Sequence, residues 1–147
     1  RSIRTHLDAL RHMGVRIAEG SGHTLETPDG LKPASYYLEE ASVTGTETAL
    51  LAAAAASGRS EIRHAACEPH VVELCEFLNG MGARVEGGGS PTITVDGLAS
   101  LHGAERIRRV FPAAAAHLRP YAAGRARDVG DHRVRFHRRC AQKTVHA

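Results

Sequence analysis

Ser42-Val43-Thr44-Gly45-Thr46-Glu47-Thr48 runs into Ala49-Leu50-Leu51 and five alanines, so small hydroxyl and glycine residues stand where a loop becomes a helix. Thr44 and Glu47 have the spacing of a capping box, in which the hydroxyl accepts from the N3 amide and the carboxylate reaches back to the N-cap amide. The chemistry such a segment offers is anion binding, because the free amides of a first turn and the positive end of the helix dipole face outward. The plainer account is a well-capped core helix and nothing more, and capping chemistry alone favours it.

Other spacings invite chemistry less strongly. His64, Cys67 and His70 form H-x-x-C-x-x-H, but a zinc site wants three or four ligands converging tetrahedrally, and no fourth stands nearby; no metal is expected. Cys75 falls on an apolar helix face with no basic neighbour in sequence, which marks a small buried hydrophobe rather than a reactive thiolate, and Cys67 is no better placed to be catalytic. Gly20-Ser21-Gly22 and Gly87-Gly88-Gly89 each join strand to strand, whereas a phosphate loop must open a helix; both are read as hairpin turns.

The 147 residues carry a net charge of +3 that hides two unlike parts. Residues 1–105 hold 8 Lys and Arg against 14 Asp and Glu, a net −6, and residues 106–147 hold 11 against 2, a net +9. A boundary near Glu105 follows from that asymmetry. The basic tail invites nucleic acid, but Phe111, Tyr121 and Phe136 are its only aromatics and no recognition motif is present, so adventitious, salt-sensitive binding is the better account. Within it, Ala113 to Leu118 reads as a helical turn and most of the rest as disordered or loosely attached. No stretch is long and apolar enough for a membrane span and no secretory signal opens the sequence, which makes a cytosolic protein the default expectation. Three cysteines without framework spacing fit free thiols. The sequence opens on Arg1 without a methionine, as a piece of a larger parent or a processed chain would.

The elements that must position these residues follow from periodicity. Leu7, Leu10 and Met13 mark an amphipathic helix from Arg4 that Gly14 ends. Val15 to Ala18 and His23 to Thr27 read as a hairpin, Pro28-Asp29-Gly30 as a turn and Ser35 to Leu38 as a strand. The helix of Ala49 to Ala56 is apolar on every side, which predicts burial within layers, and Ser57-Gly58 stops it. Glu61 to His64 reads as a strand; Pro69 opens a helix whose face carries Val71, Leu74, Cys75, Leu78 and Met81. After Gly82, Ala83 to Glu86 and Thr92 to Val95 form a second hairpin.

The chain also matches itself. Leu10, Met13, Gly14 and Arg16 recur as Leu78, Met81, Gly82 and Arg84, and Asp29-Gly30-Leu31 recurs as Asp96-Gly97-Leu98. With strand, helix and strand between the copies the unit is βαβαββ, present once whole and once as its second half; such repeats bury their faces against one another.

That unit, with SVTGTE at a helix start and HAACEPHVVELCEFLNGMGARVEGGGSPTITVDGLASLHGAE after it, resembles the enolpyruvyl transferase family. Members read S-V-G-A-T-E-N before a small-residue helix, then N-A-A-R-E-P-E-I-V-D-L-x-x-F-L-x-x-M-G-A-K-I and a strand pair ending in L-H-G-A-E. The resemblance is collinear from Arg1 to Glu105. It implies an α/β fold, part of an inside-out α/β prism of βαβαββ units in two domains with the active site between them. It also implies transfer of enolpyruvyl from phosphoenolpyruvate to the 3′-hydroxyl of UDP-N-acetylglucosamine in peptidoglycan precursor synthesis, with no cofactor. Stabilisation of an anionic tetrahedral intermediate by cationic groups would carry that reaction.

Carried over residue by residue, Arg1 and His6 match the ends of the family's R-P-V-D-x-H segment, which holds the uridine end of the nucleotide sugar, while Ser2, Ile3, Arg4 and Thr5 replace most of what lies between. Ser42 and Val43 match the diphosphate-contacting S-V-G; Thr44 stands at its glycine and Gly45 at the alanine that follows. The family's general acid, its phosphoenolpyruvate lysine and its catalytic aspartate lie in segments not represented here, so no catalytic residue is assigned and the chain alone is expected to be inactive. Past Glu105 the family's P-D-R-I-E-x-G gives way to Arg106-Ile107-Arg108-Arg109-Val110-Phe111-Pro112, and the Arg, Ala and His that follow fit a frame change in a GC-rich gene. The alternative is a non-catalytic nucleotide-sugar-binding module, or a gene remnant, with a basic tail.

Overall fold

The computed structural model describes residues 3–20, 22–108 and 132–135. The chain divides into a unit of Arg1–His102 and a unit of Gly103–Ala147.

In the first unit, α1 (Arg4–His12) buries Thr5, Leu7 and Ala9, with Arg11 and His12 in the last turn where cations oppose the negative end of the dipole. Gly14 turns the chain at φ +86° behind the fully buried Met13. The hairpin of β1 (Arg16–Glu19) and β2 (His23–Glu26) is antiparallel, pairing Ile17 with Leu25, and almost wholly exposed.

A four-stranded sheet follows, in the order β3-β4-β6-β5. The strands are β3 (Ser35–Tyr37), β4 (Gly58–Arg63), β5 (Arg84–Glu86) and β6 (Thr92–Gly97). β3 and β4 are parallel, joined by α2 (Val43–Ala55); β6 is antiparallel to both β4 and β5, and α3 (Pro69–Gly80) connects β4 to β5. One face of this sheet is apolar because the alternation agrees across the ladder: Ile62 stands opposite Ile93, and Val95 opposite both Ser60 and Val85. Those five residues are buried together with Leu50, Val71 and Leu78.

Met13 N, Gly14 N and Val15 N donate to Leu10 O, Arg11 O and Leu10 O, and Met81 N, Gly82 N and Ala83 N donate to Leu78 O, Asn79 O and Leu78 O. The repeat seen in the sequence is therefore a repeat of hydrogen bonds, and Gly82 (φ +103°) takes the place of Gly14. The copies differ in their neighbours. β6 lies between β4 and β5, whereas β2 pairs with β1 alone among the described residues.

Two expectations about α2 are corrected. It is apolar all round, yet it is not covered all round: it packs on α1, α3, β4 and β6 and leaves Leu51 54% exposed and Ala55 exposed. Nor does glycine close it at C′; Ala56 ends the helix in extended conformation, and Gly58, at φ +128°, opens β4 with the position of a Cβ only 3.1 Å from Pro33 Cγ.

In the second unit β7 (Glu105–Arg108) and β8 (His132–Arg135) form an antiparallel ribbon, pairing Glu105 with Arg135 and Arg108 with His132. The sequence reading placed no strand in either stretch. The helical turn read at Ala113 to Leu118 lies outside the described residues.

Candidate functional site

The N-terminus of α2 is built differently from the capping box that Thr44 and Glu47 led us to expect. The helix begins at Val43 and its N-cap is Ser42, extended at φ −76° and ψ 126°, whose hydroxyl accepts from Gly45 N at 3.3 Å. Gly45 therefore occupies N3, where a capping box needs Glu or Gln, and Glu47 lies two residues too far along the helix to reach back. Ser42 O accepts from Thr46 N and from Thr46 Oγ1, each at 2.8 Å. Of the first turn's amides, those of Val43 and Thr44 keep no acceptor within the helix.

Thr46 is fully buried and its hydroxyl also accepts from Ala66 N at 3.0 Å, which ties the turn to the segment after β4. The approach of α1 is as close. A Cβ on Gly45 would stand 2.8 Å from Thr5 Cγ2, so only glycine lets the two helices meet there. Thr5 donates to Glu40 Oε1 at 3.0 Å, and Arg4 pairs with Glu39 at 3.9 Å with both side chains well exposed, a pair worth little in stability.

His6 is brought against the same turn, with Nδ1 2.8 Å from Thr48 Oγ1 and Nε2 3.2 Å from Thr44 Oγ1. Four of the five positions named from the sequence, His6, Ser42, Val43 and Thr44, thus lie in one cluster where α1 meets the start of α2. Arg1 lies outside the described residues. Thr44 is exposed, while Ser42, Val43 and His6 are half-buried. The cluster offers an anion two amides without an acceptor among the described residues and the positive end of a helix of 13 residues. Glu39 and Glu40, just before the cap, oppose it electrostatically. Sequence reasoning missed Thr5, Glu40 and Thr48; of these only Thr48, one helical turn beyond Thr44, left a signal in spacing.

The remaining reactive side chains lie on other elements. Burial pushes the Cys75 thiol on α3 up to about 11, a backbone hydrogen bond only partly offsetting it, which keeps the thiol protonated and inert. Burial likewise pushes up the Tyr36 phenol on β3, whose hydroxyl has no hydrogen-bond partner among the described residues. His64 holds Leu38 O with Nδ1 at 2.9 Å and stacks on Tyr37 at 5.0 Å. It adopts φ 60°, rare for a residue other than glycine. No group of three His, Cys, Asp or Glu side chains that could hold a metal occurs among the described residues. Nor, among them, is any helix long and apolar enough to cross a membrane.

A βαβαββ sheet-and-helix unit, preceded by the second half of another and carrying a hydroxyl-capped helix N-terminus at the junction, is the build of one class of transferase. A family model described as EPSP synthase (3-phosphoshikimate 1-carboxyvinyltransferase) matches residues 1–120, and the chain belongs to that family. Among curated relatives, the UDP-N-acetylglucosamine 1-carboxyvinyltransferase of Aeromonas salmonicida is 45% identical over 104 residues, 70% of this chain and 25% of the relative. That of Caulobacter vibrioides is 47% identical over 105 residues, 71% of this chain and 24% of the relative. The chain thus spans about a quarter of the length of the curated relatives it matches. The enolpyruvyl transferase NikO from Streptomyces tendae shares the fold, with a TM-score of 0.60 at 19% identity over 93% of this chain and 42% of that one. EPSP synthase from Acinetobacter baumannii aligns with a TM-score of 0.54 at 26% identity, covering 69% of this chain and 23% of that one.

Proposed function

We propose that this chain is the nucleotide-sugar side of an enolpyruvyl transferase that moves the enolpyruvyl group of phosphoenolpyruvate onto the 3′-hydroxyl of UDP-N-acetylglucosamine. The observation that carries this reading is the 45% identity to a relative named for that reaction, running through the segment that builds the α1–α2 junction. In this reading Ser42 shapes the turn, the amides of Val43 and Thr44 hold the diphosphate with the help of the helix dipole, Arg1 belongs to the uridine side, and His6 supports the turn from α1. The groups that bind phosphoenolpyruvate and move the proton come from other segments, and the chain taken alone turns over no substrate.

The amide of Val43 can be removed with little harm to the helix, because Val43 is N1, where proline is well tolerated and the amide lacks an intrahelical acceptor. Val43→Pro is expected to weaken UDP-N-acetylglucosamine binding by about tenfold to a hundredfold, the worth of one hydrogen bond to a charged group. Calorimetric titration of the two proteins, with far-ultraviolet circular dichroism to confirm the helix, measures this. Equal affinity of a folded Val43→Pro and the parent would remove the amide from the site.

A further inference from the structure

We infer that His6 is a positioning residue: held as the Nδ1–H tautomer, it turns the hydroxyl hydrogen of Thr44 inward, so that Thr44 meets a ligand as a hydrogen-bond acceptor. Three contacts fix this assignment. Thr48 Oγ1 lies 3.0 Å from Thr44 O, His6 Nδ1 lies 2.8 Å from Thr48 Oγ1, and His6 Nε2 lies 3.2 Å from Thr44 Oγ1. A carbonyl oxygen only accepts, so the first contact is a hydrogen bond only if Thr48 spends its single hydrogen there, the back-bonding habit of helical threonine. Thr48 Oγ1 is then an acceptor towards His6, and Nδ1 carries the hydrogen. A neutral imidazole has one N–H, which leaves Nε2 as an acceptor and Thr44 Oγ1 as its donor.

The opposite tautomer fails this count. If Nε2 carried the hydrogen, Thr48 would have to donate to Nδ1, and Thr48 Oγ1 would face Thr44 O at 3.0 Å with no hydrogen between two oxygens. The ring Thr48 to Thr44 O, His6 to Thr48 and Thr44 to His6 is closed, with every donor used once.

The consequence concerns specificity. With its hydrogen spent on His6, Thr44 shows solvent only lone pairs, which repel a phosphate oxygen and accept from a hydroxyl or an amide N–H. The diphosphate is left to backbone amides, and Thr44 reads a donor on the sugar portion of a nucleotide sugar. His6, with both ring nitrogens engaged, acts through Thr44 instead of touching the ligand. This specificity rests on the nucleotide-sugar reading of the site; the tautomer does not.

Long-range proton–nitrogen correlation NMR, recorded without ligand where the ring is neutral, reads the tautomer. A pyrrole-type Nδ1 and a pyridine-type Nε2 are expected in the parent, a swing towards Nε2–H in Thr48→Val, and return of the parent pattern in Thr48→Ser. An Nε2–H parent, or a Thr48→Val pattern identical to the parent's, would overturn the assignment; should Thr48→Val not fold, the parent spectrum decides alone. Thr44→Val is then expected to weaken UDP-N-acetylglucosamine by about twofold to tenfold while leaving UDP unchanged. Equal loss for both ligands would refute Thr44 as a reader of the sugar. A parent that binds neither ligand refutes the proposed function, and the tautomer is still decided by its own spectrum.

Discussion

Gly97→Ala is expected to unfold the first unit or to lower its stability by roughly 3 kcal/mol or more, at or beyond the upper end of ordinary overpacking. Gly97 closes β6 at the point where the end of α2 lies on the sheet. A Cβ there would run into the carbonyl oxygens of Ala53 and Ala56 and come within 3.0 Å of that of Ala54. Those atoms are helix backbone, which cannot step aside as a side-chain tip does, and Leu98 N donates to Ala54 O at 3.0 Å in the same place. The helix must lift from the strand that holds it. Gly22→Ala, whose Cβ meets nothing within 4 Å, is the control and is expected to change little. Urea unfolding of the three proteins measures the difference; a Gly97→Ala midpoint equal to the parent's would mean that α2 does not seat on β6 as described.

Ile62→Ala carries the second large effect, an expected loss of about 2–5 kcal/mol. Ile62 is fully buried at the centre of β4 and stands directly opposite the equally buried Ile93. Truncation removes transfer energy and leaves a cavity between sheet and helices that a close-packed core does not refill. For a unit of this size that corresponds to a fall in Tm of roughly 10 °C or more. Leu51→Ala deletes a side chain of the same four carbons, yet Leu51 is 54% exposed, so its cost should stay within about 1 kcal/mol. Thermal melts that ranked Leu51→Ala as the more harmful of the two would place the core on the other face of α2.

The contrast between these residues shows what the sequence carried. Ile93, Val71 and Leu78 were legible because a two-residue or helical period marks one face as apolar, and the face so marked is the buried one. Met13-Gly14 and Met81-Gly82 were legible because a left-handed residue after a helix needs glycine, and the same need recurs in both copies. Gly97 and Gly30 stand in the same Asp-Gly-Leu motif but for different reasons. Gly30 is held at φ +73° in open space, and Gly97 is pressed by α2. The motif alone could not tell them apart, because the pressure on Gly97 comes from residues more than forty positions earlier.

The candidate site shows the same limit. Ser42, Val43, Thr44 and His6 were named from the sequence, and α1 and α2 bring them together. The cap was misplaced because Thr44 and Glu47 satisfy a local rule equally well, and the choice of Ser42 is settled by contacts from afar. Thr46 holds Ala66, Thr5 presses on Gly45, and His6 takes up the hydroxyl that the predicted box would have used. Hydroxyls that link distant segments leave no period behind them.

The claim at the centre of this account is that the first turn of α2 receives the diphosphate of a nucleotide sugar. Two-dimensional amide NMR of the chain, titrated with UDP-N-acetylglucosamine, tests it most directly. The account predicts a dispersed spectrum in which the amides of Val43 and Thr44 shift saturably while those of core residues such as Ile93 hold still. A dispersed spectrum in which Val43 and Thr44 ignore the ligand would contradict it, leaving a transferase fold whose helix cap serves the core alone.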